Sequence, residues 1–367
     1  MGKRRAVILG ATGAAGQNIV EFLCGHPWFT ISCLAASERS HGLPYRKAIE
    51  DSKLIDVDKD KDKDKDNPEA EAVLDEGVLS IEKVNPMDFD IAFSALPSRI
   101  ACIYEPRFAE HIPVVSTASA YRYAADIPLL LADVNPEHLA LIDVQRKRRG
   151  WEGYIIAGPN CTTVGLVTTL KPLHTAFRVS HASVVSMQAL SGAGEKGIRE
   201  GSAYRSSVKK NVLPYIEGEE EKVSKETIKI LGKIRNGRVE QAEIRVHATC
   251  TRVHVESVHT EAVHLGTKNP HNLEEVRKTL KNYMSETQKL GLPSAPDPSI
   301  IIVDEEDMPQ PIKHAEYPKM VTLVGRLRNN SIFTNGLSYI LTSDNLEKGA
   351  GGGAVLTAEY LYKKNFL

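Results

Sequence analysis

The stretch "RAVILGATGAAGQ", residues 5–17, limits what this chain can fold into more than any other. Residues 5–10 form a short continuous apolar run, the pattern of a strand buried on both faces of a parallel sheet. Gly10, Gly13 and Gly16 follow at three-residue intervals. Glycines there allow a tight turn and let a pyrophosphate approach the first amides of the next helix. "NIVEFLCGHP" then has an amphipathic helical pattern stopped by Gly25 and Pro27, and "TISCLAAS" (30–37) reads as a second strand. This βαβ pattern predicts dinucleotide binding, with Gly10, Thr12, Gly13, Ala14, Ala15 and Gly16 at the cofactor.

At 367 residues the chain is long enough for two cores. "FDIAFSALPS" (89–98) and "IPVVSTASA" (112–120) read as further buried strands, and "PEHLALIDVQRKRRG" (136–150) as a helix with a basic C-terminal end. Strands alternating with helices predict an α/β fold with a Rossmann-like doubly wound parallel sheet. It is expected over residues 1–157, completed by a C-terminal helix at 345–367. After residue 157 the pattern changes. "HASVVSMQALSGAG" and "EIRVHATCTRVHVESVHTEAVHL" carry β-branched residues in long alternating runs. They predict a second, α+β domain at 158–344 with a mixed sheet.

Several classes are excluded. The net charge of -1 points away from nucleic acid and from anionic membrane. No apolar run approaches the roughly 20 residues that span a bilayer, and "MGKRRAVILG" reads as a first strand rather than a signal peptide. Five scattered cysteines without a CxxC pair argue against a disulfide framework and a zinc site, and for a cytoplasmic, reducing setting. The tract at 56–71, with its Asp-Lys repeat at 58–66, cannot supply a core and is expected to be a solvated insertion.

The end of the second strand bears on the cofactor. Ser37, Arg39 and Ser40 offer hydroxyls and a guanidinium suited to a 2′-phosphate, whereas Glu38 suits a free ribose. The balance favours NADP over NAD.

"IIAGPNCTTVGLV", residues 155–167, places Cys161 where a strand gives way to a new apolar run. If that run is a helix, Cys161 sits at its positive end, which favours a thiolate nucleophile. Taken alone, a cysteine in apolar surroundings is more often inert core, so the choice depends on partners elsewhere.

In order along the chain, "ILGATGAAGQ", "SALPS", "GPNCTT", "SMQALSGAG", "IEGEEEK" and "TCTRV…HTEAV" resemble the aspartate-β-semialdehyde dehydrogenase family, in its archaeal and fungal style. The resemblance implies Cys161 as nucleophile, with Gln188 lying 27 residues on. It implies Arg252 for a substrate carboxylate and, seven residues later, His259 as acid–base group. It implies Glu220 for the substrate amine, with Glu219 and Glu221 as rivals, and Lys222 and Arg122 for phosphate. Asn160 is implied at the substrate, and Ser98, Ser191, Gly192, Gly194 and Asn345 at the cofactor. The implied partners are aspartate semialdehyde and phosphate, in a homodimer or homotetramer.

These residue types suit that chemistry. A thiolate adds to an aldehyde, hydride leaves to a nicotinamide, and phosphate releases the resulting thioester as an acyl phosphate. Imidazole can move protons near neutral pH, and the Cys161 amide with the Gln188 side chain can hold an oxyanion. Two residues depart from the family pattern. His254 stands where proline is common, and Val258 where glycine is common. A β-branched valine resists the backbone conformation that glycine permits, which predicts a remodelled loop before His259. Two alternatives follow: a malonyl-CoA reductase-like enzyme using the same cysteine, and an NADP-binding paralogue with little turnover.

Overall fold

The computed structural model describes residues 2–50 and 68–367; the Asp-Lys repeat at 58–66 lies outside the described residues. The chain divides into two compact units. One comprises Met1–Pro128, Leu139–Gly158 and Ala350–Leu367, the other Leu129–His138 and Pro159–Gly349.

In the first unit six strands form one sheet: β1 (Arg4–Leu9), β2 (Phe29–Ala36), β3 (Leu79–Ser80), β4 (Ile91–Ser94), β5 (Pro113–Ser116) and β6 (Tyr154–Ala157). Their order is β3-β2-β1-β4-β5-β6, and every pairing is parallel. Apolar runs such as Ala6 to Leu9 and Ile91 to Phe93 are fully buried, as strands inside a doubly wound sheet must be. The strand order reverses between β1 and β4, and the glycine turn leaves β1 there. It runs into α1 (Ala14–Leu23), whose N-cap Gly13 places no side chain on the first amides. Gly10 has φ +82° and a Cβ there would lie 2.8 Å from Ala95 O; at Gly16 it would lie 2.1 Å from Gly10 O. Only glycine fits these two positions. The Tyr45 hydroxyl donates to Ala11 O at 2.9 Å and steadies the turn.

Helices α2 (Pro68–Asp75), α3 (Ser98–Ala109) and α4 (Leu141–Arg149) belong to the same unit. The helix expected over 136–150 begins as a 3-10 turn, Pro136–Ala140, continues as α4 and ends at Gly150 with φ +71°. The C-terminal helix Gly352–Lys363 also packs here: its Glu359 meets buried His26 at 2.9 Å, and Tyr362 stacks on Trp28 at 5.2 Å. No described helix is long and apolar enough to cross a membrane.

The second unit contains α5 (Cys161–Phe177), β7 (Val179–Gln188), β8 (Val212–Leu213), α6 (Glu219–Ile230) and the hairpin β9 (Lys233–Arg235) with β10 (Arg238–Glu240). β11 (Arg245–Val253), β12 (His259–Thr267), α7 (Leu273–Lys281), β13 (Ile300–Ile302), β14 (Thr322–Asn330) and β15 (Gly336–Ser343) complete it. Its mixed seven-stranded sheet runs β13-β14-β15-β12-β7-β11-β8. Residues 129–138 and 345–349, read from the sequence as part of the first domain, group with this unit. Lys348 Nζ donates to Asp133 Oδ2 at 3.0 Å, and the Tyr283 hydroxyl to Asp133 O at 2.6 Å.

Candidate active site

α5 begins at the cysteine because Asn160 caps it. Its side-chain oxygen accepts from Thr162 N at 3.0 Å and Thr163 N at 3.4 Å. This satisfies two of the amides a helix start leaves open and makes Cys161 the first helical residue. The dipole at that end favours a thiolate.

The partners come from adjacent strands. β11 pairs in parallel with β7, and Arg252 lies opposite Gln188. β12 pairs antiparallel on the other side of β7 with Thr260 against Met187, which puts His259 level with Gln188. Three residues spread over 71 positions of sequence thus form one row across β11, β7 and β12.

Contacts close this row onto Cys161. His259 Nε2 lies 3.3 Å from Cys161 Sγ, and His259 Nδ1 accepts from Ala189 N at 3.1 Å. A backbone N–H can only donate, so Nδ1 holds a lone pair and the neutral ring carries its proton on Nε2, facing the sulfur. Complete burial, helped by the Arg252 guanidinium, pulls His259 down to about 3, so the ring is neutral at working pH. Arg252 is itself 2% exposed. Its Nη1 donates to Ala189 O at 2.5 Å and its Nε to the Tyr204 hydroxyl at 3.2 Å, while Nη2 makes no hydrogen bond with any described residue. Gly192 lies against both groups: a Cβ there would sit 2.7 Å from Arg252 Nη1 and from His259 Cε1.

The "EEEK" run needs a correction. The carboxylate brought to this cluster is Glu219, not Glu220. Glu219 Oε2 accepts from Asn160 Nδ2 at 2.8 Å and from Gln188 Nε2 at 3.4 Å, and its Oε1 from Lys222 Nζ at 2.7 Å. Glu220 instead accepts from Cys250 N at 3.1 Å, and Glu221 is exposed and pairs with Lys225. Successive residues on a helix point about 100° apart, so one of three neighbours faces the site. Glu226 was missed by the sequence reading: its Oε2 accepts from Asn160 N at 2.6 Å. The signal was the seven-residue spacing from Glu219, two turns along one face of α6. Tyr204 and the Ala189 backbone carried no sequence signal.

The loop before His259, expected from the sequence to be remodelled, holds Val258 in a left-handed conformation. Val258 adopts φ +70°, the left-handed conformation that glycine takes freely. For an L residue that costs about 1–2 kcal/mol. Val258 N donates to Asn345 Oδ1 at 3.0 Å, and Asn345 Nδ2 donates to Ser191 Oγ at 2.9 Å. His254 is exposed and, with Val258, His314, Tyr317 and Lys319, lines a cavity of about 680 Å³.

Apart from Gly194, the remaining expected residues lie in the first unit. The glycine turn, Ser37, Arg39 and Ser40, and Ser98 stand just beyond the C-terminal ends of β1, β2 and β4. Ligands of open α/β sheets gather at those ends. Glu38 is drawn toward Lys83 at 3.9 Å, and exposed Arg39 forms no ion pair with any described residue, so the pattern fits a 2′-phosphate better than a bare ribose. Arg122 is buried in the same unit and donates to Thr117 O at 2.9 Å. Gly194, with φ +64°, ends the 3-10 turn Leu190–Ala193 of the second unit.

Comparisons with known proteins agree with this architecture. Residues 5–142 match the model of the semialdehyde dehydrogenase NAD binding domain, and residues 170–348 that of the semialdehyde dehydrogenase dimerisation domain. An aspartate-semialdehyde dehydrogenase of Methanothermobacter thermautotrophicus is 40% identical, with 96% of this chain and 97% of that one covered. A malonyl CoA reductase (NADP) of Metallosphaera sedula is 32% identical over 99% of this chain and 98% of its own. The crystal structure of aspartate semialdehyde dehydrogenase with NADP from Candida albicans superposes with a TM-score of 0.86 at 33% identity, covering 99% of this chain and 100% of that one. On sequence, fold and coverage together, this chain belongs to the aspartate-semialdehyde dehydrogenase family.

Proposed function

We propose that the protein is an NADP-dependent aspartate-semialdehyde dehydrogenase that interconverts aspartate 4-semialdehyde plus phosphate with 4-aspartyl phosphate. The observation that carries this reading is Cys161 Sγ, at the start of α5, 3.3 Å from the Nε2 of a buried neutral His259. The dimerisation-domain match supports a homo-oligomer, a dimer or a tetramer, and the absence of a membrane-spanning helix among the described residues is compatible with the cytoplasm.

The chemistry follows from the site. The Cys161 thiolate, favoured by the helix end and by the His259 Nε2–H, attacks the aldehyde carbon and leaves a hemithioacetal alkoxide. The His259 Nε2–H and the Gln188 amide are the donors suited to that oxygen. Bound NADP would supply the hydride acceptor; as the carbonyl re-forms and hydride leaves, Cys161 is left as a thioester. A phosphate oxygen then attacks the thioester carbon and expels the thiolate. Because Nδ1 already accepts from Ala189, His259 works from this position as a donor. Serving as a base at Nε2 would require breaking that contact. The free Nη2 of Arg252 suits the substrate carboxylate, Glu219 its ammonium, and Lys222 the phosphate, a role the family resemblance implies for Arg122 too. The glycine turn, Ser37, Arg39 and Ser40, with Ser98, Ser191, Gly192, Gly194 and Asn345, are the residues for NADP.

The test is phosphate-dependent NADPH formation from aspartate semialdehyde. The unmodified protein should turn over, and Cys161→Ala should lose about a thousandfold or more while still binding NADP. Equal rates in the two proteins would remove Cys161 from the mechanism. Oxidation of NADPH by malonyl-CoA, with no reaction of aspartate semialdehyde, would assign the thioester reductase activity instead.

A further inference from the structure

The one departure from family pattern that touches the reacting pair is Val258. It is buried, β-branched and held at φ +70° immediately before His259. Such a residue leaves the left-handed region unless its surroundings over-determine it. The surroundings here are specific. Leu190 N donates to Val255 O at 2.7 Å and Ser191 N to Glu256 O at 3.0 Å, which fixes the approach of the loop. At Val258 itself the hold passes to a side chain 87 residues away, Asn345, whose Oδ1 accepts the Val258 N–H at 3.0 Å. Asn345 is 3% exposed, follows the end of β15 by two residues, and is kept in orientation by Ser191 Oγ.

We propose that Asn345 is a positioning residue: its side-chain carbonyl pins Val258 in the left-handed conformation and thereby sets where His259 Nε2 meets the Cys161 sulfur. The proposal rests on the reading of Cys161 and His259 as the reacting pair, and is separate from any contact Asn345 makes with the cofactor. Without the pin, the Val258 N–H is buried with no acceptor and its backbone turns toward negative φ. Rotation about that residue swings the following peptide and carries the imidazole off the sulfur. Glycine in the same place holds positive φ freely, so it needs no pin.

The double-mutant comparison follows directly. Asn345→Ala is made in the natural chain and in a Val258→Gly background. Each protein is assayed for turnover and for the pH profile of Cys161 alkylation by iodoacetamide, read on the Cys161 peptide by mass spectrometry. In the natural background we expect turnover to fall about tenfold or more and the alkylation profile to move to higher pH, as the thiolate loses its donor. In the glycine background the same substitution should leave the alkylation profile in place and lower turnover by clearly less than in the natural background, the remaining loss being that of any cofactor contact. Equal losses in both backgrounds, or no loss in either, would overturn the proposal; equal losses are what a pure cofactor contact gives. If Asn345→Ala alone does not fold but the double variant does, the pin is supported. If neither folds, Asn345 holds more than Val258 and the proposal fails. Alkylation needs no substrate. If the natural protein turns over no aspartate semialdehyde, the dehydrogenase reading falls, and the alkylation profiles still decide the role of Asn345.

Discussion

Arg252 shows how much the site asks of one side chain. It is fully buried, spends Nε on Tyr204 and Nη1 on Ala189, keeps Nη2 available, and lowers the proton affinity of His259. A planar fork can do all of this at once; a lysine ammonium, as a point charge on a flexible stem, cannot. Arg252→Lys should therefore raise KM for aspartate semialdehyde about tenfold or more with a smaller change in kcat, measured by steady-state kinetics. A change confined to kcat would argue against a carboxylate contact. At this scale the sequence was informative where its family resemblance singled out residues that the fold brings together, as for Cys161, Gln188, Arg252 and His259. It was ambiguous within "EEEK", because three adjacent glutamates are equivalent until a helix phase is known. Only the phase of α6 selects Glu219.

At the scale of elements, β12 carries a buried acid. Glu261 lies two residues beyond His259, is fully buried, and neither carboxyl oxygen has a hydrogen-bond partner among the described residues. α5 comes close to it, since a Cβ on Gly165 would lie 3.2 Å from Glu261 Oε1. Burial raises its proton affinity well above the ordinary carboxylate value of 4.5. The folded state thus keeps a proton that the unfolded chain gives up as pH rises past about 4.5, and stability declines with rising pH from there. Glu261→Gln removes that titration. Thermal melts should show the variant gaining on the natural protein at pH 8 relative to pH 5, and a shift of equal size at both pH values would refute the assignment. Nothing in the alternating pattern of "HTEAVHL" marks Glu261 as neutral. Its protonation depends on which strands and helix cover it.

At the scale of the whole molecule, polar links join segments far apart in sequence. Lys348 and Asp133, 215 positions apart, meet at 3.0 Å with both side chains about 1% exposed. Lys348 Nζ also donates to Met320 O at 2.9 Å. Removing one member of such a pair leaves a buried charge uncompensated. Lys348→Met should lower the stability of the protein by about 3–5 kcal/mol in chemical denaturation. A loss below about 1 kcal/mol would place the pair among the weak surface-like bridges.

Local information by itself determined the first sheet and the glycine turn, and placed Cys161 where a strand gives way to a helix. Strand runs, Gly10 and Gly16, and a capped cysteine are set by backbone sterics and short-range hydrogen bonds, which adjacent residues report. The order β3-β2-β1-β4-β5-β6 is one of the few that parallel connections of a single hand allow. Tertiary structure alone decided the electrostatics of the site. It chose Glu219 and Glu226 from an acidic helix, put the His259 proton on Nε2, and held Val258 at φ +70° against its own preference. Each of these depends on burial and on a donor or acceptor many residues away, and such pairings exist only once the sheet has brought β7, β11, β12 and the end of β15 together.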